Sequence, residues 1–316
     1  MSEKPATTIG VPGIRIGHAH SALGHTGCTV VLCERGAIAG VDIGGSAPGT
    51  RETEMLNPTN MVMAIHAVLL TGGSTFGLAA ASGVQAYLAE KDIGFRASTG
   101  VVVPIVPSAC IFDLDVGKPR IYPDHAMALQ ACRAAREDLE AQGAVGAGIG
   151  ATCGKALGTA SAMRGGLGVA STVLPGGVVV GALAVCNAWG DVVNLRNEIV
   201  AGARDPGSGQ HIDTERWLCE QTELDMRYFG RDTTLCVVAT NAAFSREQMT
   251  KIAMMAQDGI ARATRPSHTL FDGDVVFGLS AGDRSGDVTI VGAAAARLVS
   301  QAIIRGVRLV NEPARA

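Results

Sequence analysis

A run of nine almost entirely apolar residues, 178–186, sets the first limit on how this chain folds. An apolar stretch of this length without alternation is typical of a fully buried strand. Asn187 ends the run, at a strand-terminal position where sheet enzymes often place polar groups that take part in chemistry. Asn187 also fits an ordinary turn before Trp189, so the local pattern leaves both interpretations open.

The other strand patterns come in groups, without regular alternation with helices. Residues 28–33 and 38–42 are predicted to be two strands of a hairpin that turns around Arg35 and Gly36. This grouping favours an α+β layered architecture over a doubly wound one. With 316 residues and no break in composition, we expect a single domain spanning 1–316. Helices are predicted in an Ala-rich segment that ends near Lys91 and in residues 124–142, 245–262 and 291–310.

Composition and charge argue against several classes of partner. The formal net charge is −3 and no cluster of Lys and Arg exceeds a dipeptide, so we expect no nucleic-acid partner. Residues 1–6 lack the apolar core of a signal peptide, and we find no run of about 18 apolar residues, so we expect no membrane association. The eight cysteines are scattered singly, as in proteins of a reducing compartment, which predicts a cytoplasmic location.

A pair of threonines begins a second apolar, β-branched run. Asp232 is followed by Thr233 and Thr234, and the residues after them are predicted to form a buried strand. Threonine is common in strands, so this stretch alone is more simply an ordinary strand start. If the chain breaks before Thr233, this residue gains a free α-amine beside its own hydroxyl. That amine can act as the base that activates the hydroxyl.

A glycine-rich stretch at 146–155 looks like a phosphate-binding loop. The glycine spacing fails, however, and Ala156 occupies the place of the Ser or Thr that binds Mg²⁺. Lys155 is therefore either a surface lysine or a cation directed into a site. His18 and His20 have no third ligand nearby in the sequence, so we expect neither a metal nor a cofactor.

Two aspartates flank a glycine near the carboxyl end. If residues 269–279 form one strand, Asp272 and Asp274 lie on the same face, and Gly273 leaves room for a close neighbour. The local pattern favours instead a turn that separates two short strands.

Taken together, these residues resemble the family of L-aminopeptidase/D-amidase/D-esterase enzymes, which also contains β-peptidyl aminopeptidases and the nylon-oligomer hydrolase. The resemblance covers nearly the whole chain, and its motifs are specific as a set although each alone is weak. They lie at residues 51–53, 70–78, 146–155, 185–188, 233–242, 263–266, 268–269 and 272–274.

This resemblance implies a four-layer α-β-β-α sandwich of the N-terminal-nucleophile-like kind, shared with ornithine acetyltransferase. It also implies a precursor that cuts itself before a Ser or Thr. Here the cut would fall between Asp232 and Thr233 and give fragments 1–232 and 233–316. The fragments would stay associated, usually in a homotetramer.

The resemblance also implies the roles of individual residues. Thr233 would be both the self-cleaving residue and the nucleophile, and Asp272 and Asp274 would orient and polarise its amine or hydroxyl. Lys155 would assist nearby, and Asn187 would help to bind the oxyanion. An α-amine suits the task of the base, because its ordinary pKa of about 8 is close to neutral pH.

Two positions depart from the pattern of the family. Asp232 stands where many relatives have Asn, and Phe112 stands where some have a tyrosine whose hydroxyl contributes to the site. The expected function is a self-processing aminopeptidase or amidohydrolase acting on small peptides or amides. An acyltransferase and an uncleaved, non-catalytic binding protein are the alternatives. The sequence leaves α-peptide, β-peptide, D-amide and polyamide-oligomer substrates open.

Overall fold

A computed structural model describes residues 8–138, 141–224 and 231–312. Its six described helices are α1 Ser74–Gly77, α2 Ala81–Glu90, α3 His125–Ala134, α4 Thr214–Cys219, α5 Arg246–Ala263 and α6 Val288–Asn311. The strands are β1 Arg15–Ser21, β2 Thr26–Ile43, β3 Thr50–Arg51, β4 Ile65–Thr71, β5 Phe95–Arg96, β6 Val102–Val103, β7 Ser108–Cys110, β8 Thr152–Cys153, β9 Met163–Arg164, β10 Gly166–Leu174, β11 Val178–Asn187, β12 Asp191–Val193, β13 Ile199–Ala201, β14 Thr233–Ala242, β15 Thr264–Arg265 and β16 Val275–Arg284.

The long strand β2 belongs to two sheets. Its first half pairs with β1 and β4, and β4 continues through β7 to β3. Its second half pairs with β16, which continues through β14 and β11 to β10. The predicted hairpin at residues 28–42 is therefore wrong. Gly36, with a φ of 86°, lets the backbone deviate inside one continuous strand, and the two halves find different partners.

Three apolar clusters separate four layers. Val31, Leu70, Leu183 and Val237 belong to the cluster between the two sheets. A second cluster joins the outer face of the β10–β16 sheet to α5 and α6, and a third joins the outer face of the β1–β7 sheet to α2 and α3. Because successive side chains of a strand point to opposite faces, the interior strands feed two clusters at once. The order is α-β-β-α, as the family resemblance implied.

Several predicted boundaries shift. The helix expected at 124–142 ends at Ala134, and Arg136 continues in extended backbone that exchanges hydrogen bonds with Ile16; the rest of that prediction includes residues 139–140, which lie outside the described part. The capping box at Ser245 is confirmed. The strand proposed for 269–279 begins only at Val275, so the interpretation of Asp272 and Asp274 as residues of one strand is wrong.

Helix α6 is the longest of the described helices. By length and composition, it is the one helix in the described ranges that could cross a membrane. However, 72% of its most apolar stretch is buried inside the protein, against the β10–β16 sheet and α5. Core helices of soluble proteins pass the same test, so its composition is explained by packing.

Candidate active site

Two strand ends bring Thr233 and Asn187 together. In the antiparallel pairing of β11 with β14, Asn187 lies directly opposite Thr233. Both residues continue the face that places Leu235 and Val185 between the two sheets. Thr233 is 5% exposed and Asn187 is fully buried. The pairing of β11 with β14 therefore places a hydroxyl and an amide at the end of the apolar layer between the two sheets, although the two residues are 46 positions apart in sequence (233 − 187 = 46).

The carbonyl oxygen of the peptide bond before Thr233 accepts two hydrogen bonds. The Thr233 hydroxyl donates a hydrogen bond to the carbonyl oxygen of Asp232 at 2.5 Å. The backbone N–H of Gly273 donates to the same oxygen at 2.8 Å. A Cβ at position 273 would stand 2.4 Å from the carbonyl oxygen of Ala47 and 2.8 Å from Thr233 Oγ1. Glycine is thus required for this N–H to reach the Asp232 carbonyl, and the prediction of a close neighbour at Gly273 is confirmed.

Lys155 is a buried cation directed into the site. It follows Gly154, whose φ of 73° turns the chain after β8, and its residue exposure is 6%. Its ammonium lies 2.7 Å from Asp232 Oδ1, 3.0 Å from Asn187 Oδ1 and 3.1 Å from the Asn187 carbonyl oxygen. Burial raises the pKa of Asp232, while the charge and hydrogen bond of Lys155 act in the opposite direction. The Asp232–Lys155 pair was not predicted from the sequence.

Asn187 is fully occupied in the intact chain. Its Oδ1 accepts from Lys155 and from the backbone N–H of Thr152 at 3.0 Å. Its Nδ2 donates to the carbonyl oxygens of Arg231 at 3.1 Å and Phe112 at 3.3 Å. The donor that reaches the Asp232 carbonyl is consequently Gly273, which the sequence assigned no such role. Phe112 contributes its backbone carbonyl, and its ring centre lies 5.4 Å from the guanidinium carbon of Arg231.

The two aspartates hold the segments around Thr233. Asp274 Oδ1 accepts from the backbone N–H of Thr234 at 2.6 Å, one residue beyond the candidate nucleophile. Asp272 accepts from the backbone N–H of Trp189 at 3.2 Å and from the hydroxyl of Thr269 at 2.6 Å. Neither carboxylate hydrogen-bonds to Thr233 among the contacts described. Burial, reinforced by the charge of Asp274, raises the pKa of Asp272 to about 7.

His268 completes the acidic side of the cluster. Its Nδ1 lies 2.8 Å from Asp274 Oδ2, and its side chain is 25% exposed. Burial lowers the pKa of His268, but the hydrogen bond and charge of Asp274 outweigh it, so the net pKa is raised. The contact between His268 and Asp274 was not predicted from the sequence. The only signal there was that His268 lies a few residues before the two aspartates in the chain.

The histidines considered as metal ligands lie elsewhere. One ring nitrogen of His18 contacts the Thr29 hydroxyl at 2.9 Å, and burial lowers the pKa of His18 to about 4. Within residues 8–138, 141–224 and 231–312, no group of three or more His, Cys, Asp or Glu side chains is arranged to hold a metal ion.

The structure is thus a two-sheet sandwich enclosed by helices, with the hydroxyl of Thr233 where β14 begins. The chain belongs to peptidase family S58, whose sequence model matches residues 8–312. Membership in a peptidase family identifies it as a hydrolase of amide bonds, and this argues against the non-catalytic alternative.

Two proteins of similar sequence extend the comparison. An uncharacterized aminopeptidase of Mycobacterium leprae is 39% identical over 331 aligned positions, which cover 93% of this chain and 88% of the relative. A 6-aminohexanoate-oligomer endohydrolase of a Kocuria species is 30% identical over 94% of this chain and 84% of its own length.

Solved structures support the fold. A β-aminopeptidase of a Burkholderia species superposes with a TM-score of 0.69 at 20% identity, covering 96% of this chain and 87% of that one. The L-aminopeptidase D-Ala-esterase/amidase of Ochrobactrum anthropi, described as a variant of the N-terminal-nucleophile hydrolase fold, superposes with a TM-score of 0.70 at 16% identity, covering 97% and 87%. At these identities the likeness concerns the fold, and it confirms the predicted α+β sandwich.

Proposed function

We propose that this hydrolase cleaves its own chain before Thr233 and then uses the released residue as its nucleophile. The observation that carries the proposal is the geometry at the Asp232 carbonyl, which accepts hydrogen bonds from the Thr233 hydroxyl and the Gly273 N–H. A hydroxyl beside the carbonyl of its own preceding peptide bond is placed for intramolecular attack. The Gly273 N–H lies where negative charge develops on the oxygen.

In the self-cleavage reaction, Thr233 Oγ1 attacks the carbonyl carbon of Asp232. The hydroxyl proton passes to the Thr233 nitrogen as the C–N bond breaks, which leaves an ester between Thr233 and Asp232. Water hydrolyses this ester, restoring the hydroxyl and giving Asp232 a terminal carboxylate. Lys155, 2.7 Å from the Asp232 side chain, holds the residue before the bond in place during these steps.

After cleavage, the Thr233 α-amine becomes the base for substrate hydrolysis. Its ordinary pKa of about 8 leaves a useful fraction unprotonated near neutral pH. The Asp274 contact to the Thr234 N–H fixes the backbone beside the amine. Departure of residues 231–232 would remove the Arg231 carbonyl that occupies Asn187 Nδ2, and this amide could then donate to the oxyanion of the substrate.

The substrates we propose are small peptides or amides from which an N-terminal residue is removed through an acyl-enzyme on Thr233. The similarity to an aminopeptidase and to a 6-aminohexanoate-oligomer endohydrolase supports amide substrates. We also propose a cytoplasmic homotetramer of cleaved protomers, on the strength of the family resemblance and the scattered cysteines.

Mass spectrometry of the purified chain tests the self-cleavage. We expect fragments of 232 and 84 residues (316 − 232 = 84), the smaller beginning at Thr233. The T233A variant should remain one 32.3 kDa chain without amidase activity, while T233S should still be processed because it keeps a hydroxyl. An intact wild-type chain with full activity would refute the proposal.

A further inference from the structure

Beside the candidate catalytic cluster lies a small aromatic pocket of about 240 Å³. Trp189 and Phe271 form its buried part, with ring centroids 5.2 Å apart and planes inclined by 12°. Trp217 and Leu224, both partly exposed, line it as well. A dry apolar cavity of about 150 Å³ holds a benzene ring, so this pocket is large enough for one amino-acid side chain.

The pocket is attached to the reacting groups through neighbouring residues. Ala156 follows Lys155, and Phe271 precedes Asp272, which forms an isolated bridge with Asp232. The backbone N–H of Trp189 donates to Asp272 Oδ1, and the backbone carbonyl oxygen of Trp189 accepts from the backbone N–H of Lys155 at 2.8 Å. The lining residues Trp189 and Phe271 are therefore connected, through Asp272 and Lys155, to the groups around the Asp232 carbonyl.

A buried carboxylate fixes the wall that carries Trp217. Asp191 accepts from both the N–H and the hydroxyl of Thr214, each at 2.7 Å, and from the N–H of Ala203 at 2.9 Å. Thr214 begins α4, and Trp217 follows three residues later. The aromatic wall is thus held by charge-assisted hydrogen bonds to the end of the sheet, as a preformed binding pocket requires.

Charge restricts what the pocket can accept. Among the residues that the structure describes, Glu223 is the charged residue that lines the pocket, and none of these lining residues is Lys or Arg. A side chain with a carboxylate would lose hydration there and meet a like charge, whereas an aliphatic or aromatic side chain would bury apolar surface against the two indoles and Phe271.

We infer that this pocket binds the side chain of the residue whose acyl group is transferred to Thr233, and that Trp217 selects large apolar side chains there. The inference rests on the proposed function and names its substrate class. Trp217 is a specificity residue in this role, because its ring contacts the substrate side chain away from the scissile bond.

The test compares kcat/KM for the p-nitroanilides of alanine, leucine, phenylalanine and glutamate, in which the leaving group is constant. We expect wild-type enzyme to prefer leucine and phenylalanine over alanine and to be slow with glutamate. W217A should lower kcat/KM for leucine and phenylalanine by about 10-fold or more while alanine changes by less than about 3-fold. W217F should restore most of the preference, and L195A, at an exposed leucine outside the pocket, should leave it unchanged.

Two controls separate the possible failures. The 84-residue fragment and alanine hydrolysis in W217A show that folding and processing survive the substitution. An equal loss with all four substrates, no loss, or glutamate hydrolysed as fast as leucine would overturn the pocket assignment alone. Wild-type protein that is uncleaved and inactive on every substrate would overturn the proposed function, and the pocket assignment with it.

Discussion

Replacing Lys155 by methionine should destabilise the intact chain mainly by leaving a buried charge without its partner. The Lys155 and Asp232 side chains are 8% and 1% exposed, and their charged atoms lie 2.7 Å apart. Breaking such a buried pair by removing one partner costs about 3–5 kcal/mol, whereas removing both charges costs much less. We therefore expect K155M to lower the free energy of unfolding by about this amount, and K155M/D232N to recover at least about half of it.

The effect should depend on pH in one direction. Burial already raises the pKa of Asp232, and loss of Lys155 removes the group that opposes this rise. A carboxyl with a raised folded pKa favours the folded state when protonated, and that contribution is lost as the pH rises from its unfolded pKa of about 4 through its folded pKa. The deficit of K155M should consequently be largest near neutral pH and shrink towards about pH 4.

Urea unfolding, followed by circular dichroism, measures these differences. All variants should carry T233A, so that the chain remains whole and unfolding of one species is compared. An equal loss in K155M and K155M/D232N, independent of pH, would refute the reasoning, because the cost would then come from the packing of the lysine stem and not from the unpaired carboxylate.

G273A should slow self-cleavage by about 10²–10³-fold, because the added Cβ displaces the N–H that reaches the Asp232 carbonyl. The processed fraction is measured over time, and G207A, at an exposed glycine, is the control. Unchanged processing in G273A would exclude Gly273 as the donor. Because the pKa of His268 is raised, its pair with Asp274 stabilises the fold below about pH 6.5, and this stabilisation is lost as the pH rises through the folded pKa. H268Q should therefore lower the free energy of unfolding by up to ~1 kcal/mol at about pH 6 and by little at about pH 9. The control is H20Q, at an exposed histidine, and an equal loss at both pH values would contradict the assigned pair.

Local patterns predicted the buried strands β11 and β14 and the long helices α5 and α6 well. The run at 178–186 became β11, and the capping box at Ser245 begins α5. Local patterns could not show that β2 is one strand, because a turn and a bend around Gly36 differ only in what each half of the strand pairs with. The helix at 124–142 ended early for the same kind of reason, since Arg136 pairs with Ile16, a contact across 120 residues (136 − 16 = 120).

The site shows a similar division. Side chains with unusual chemistry for their position, such as Lys155 after a glycine turn, could be found from the sequence and the family resemblance. Backbone groups could not be found in this way, because nearly every residue has a backbone N–H and the residue type does not show which of them reaches the Asp232 carbonyl. The roles of Asp272 and Asp274 also depend on which backbone N–H groups they meet, and strand register determines those contacts.

Strands β14 and β16 lie side by side in the interior of their sheet, between β11 and β2. Cleavage before Thr233 would therefore produce a protein whose smaller piece is wedged between two strands of the larger one, with eight paired residues on one side and six on the other. Its dissociation would leave β11 and β2 each with an unpaired edge. The cut would thus create a new amino terminus in the centre of the molecule without creating a separable subunit, and the pieces should copurify until a denaturant is added.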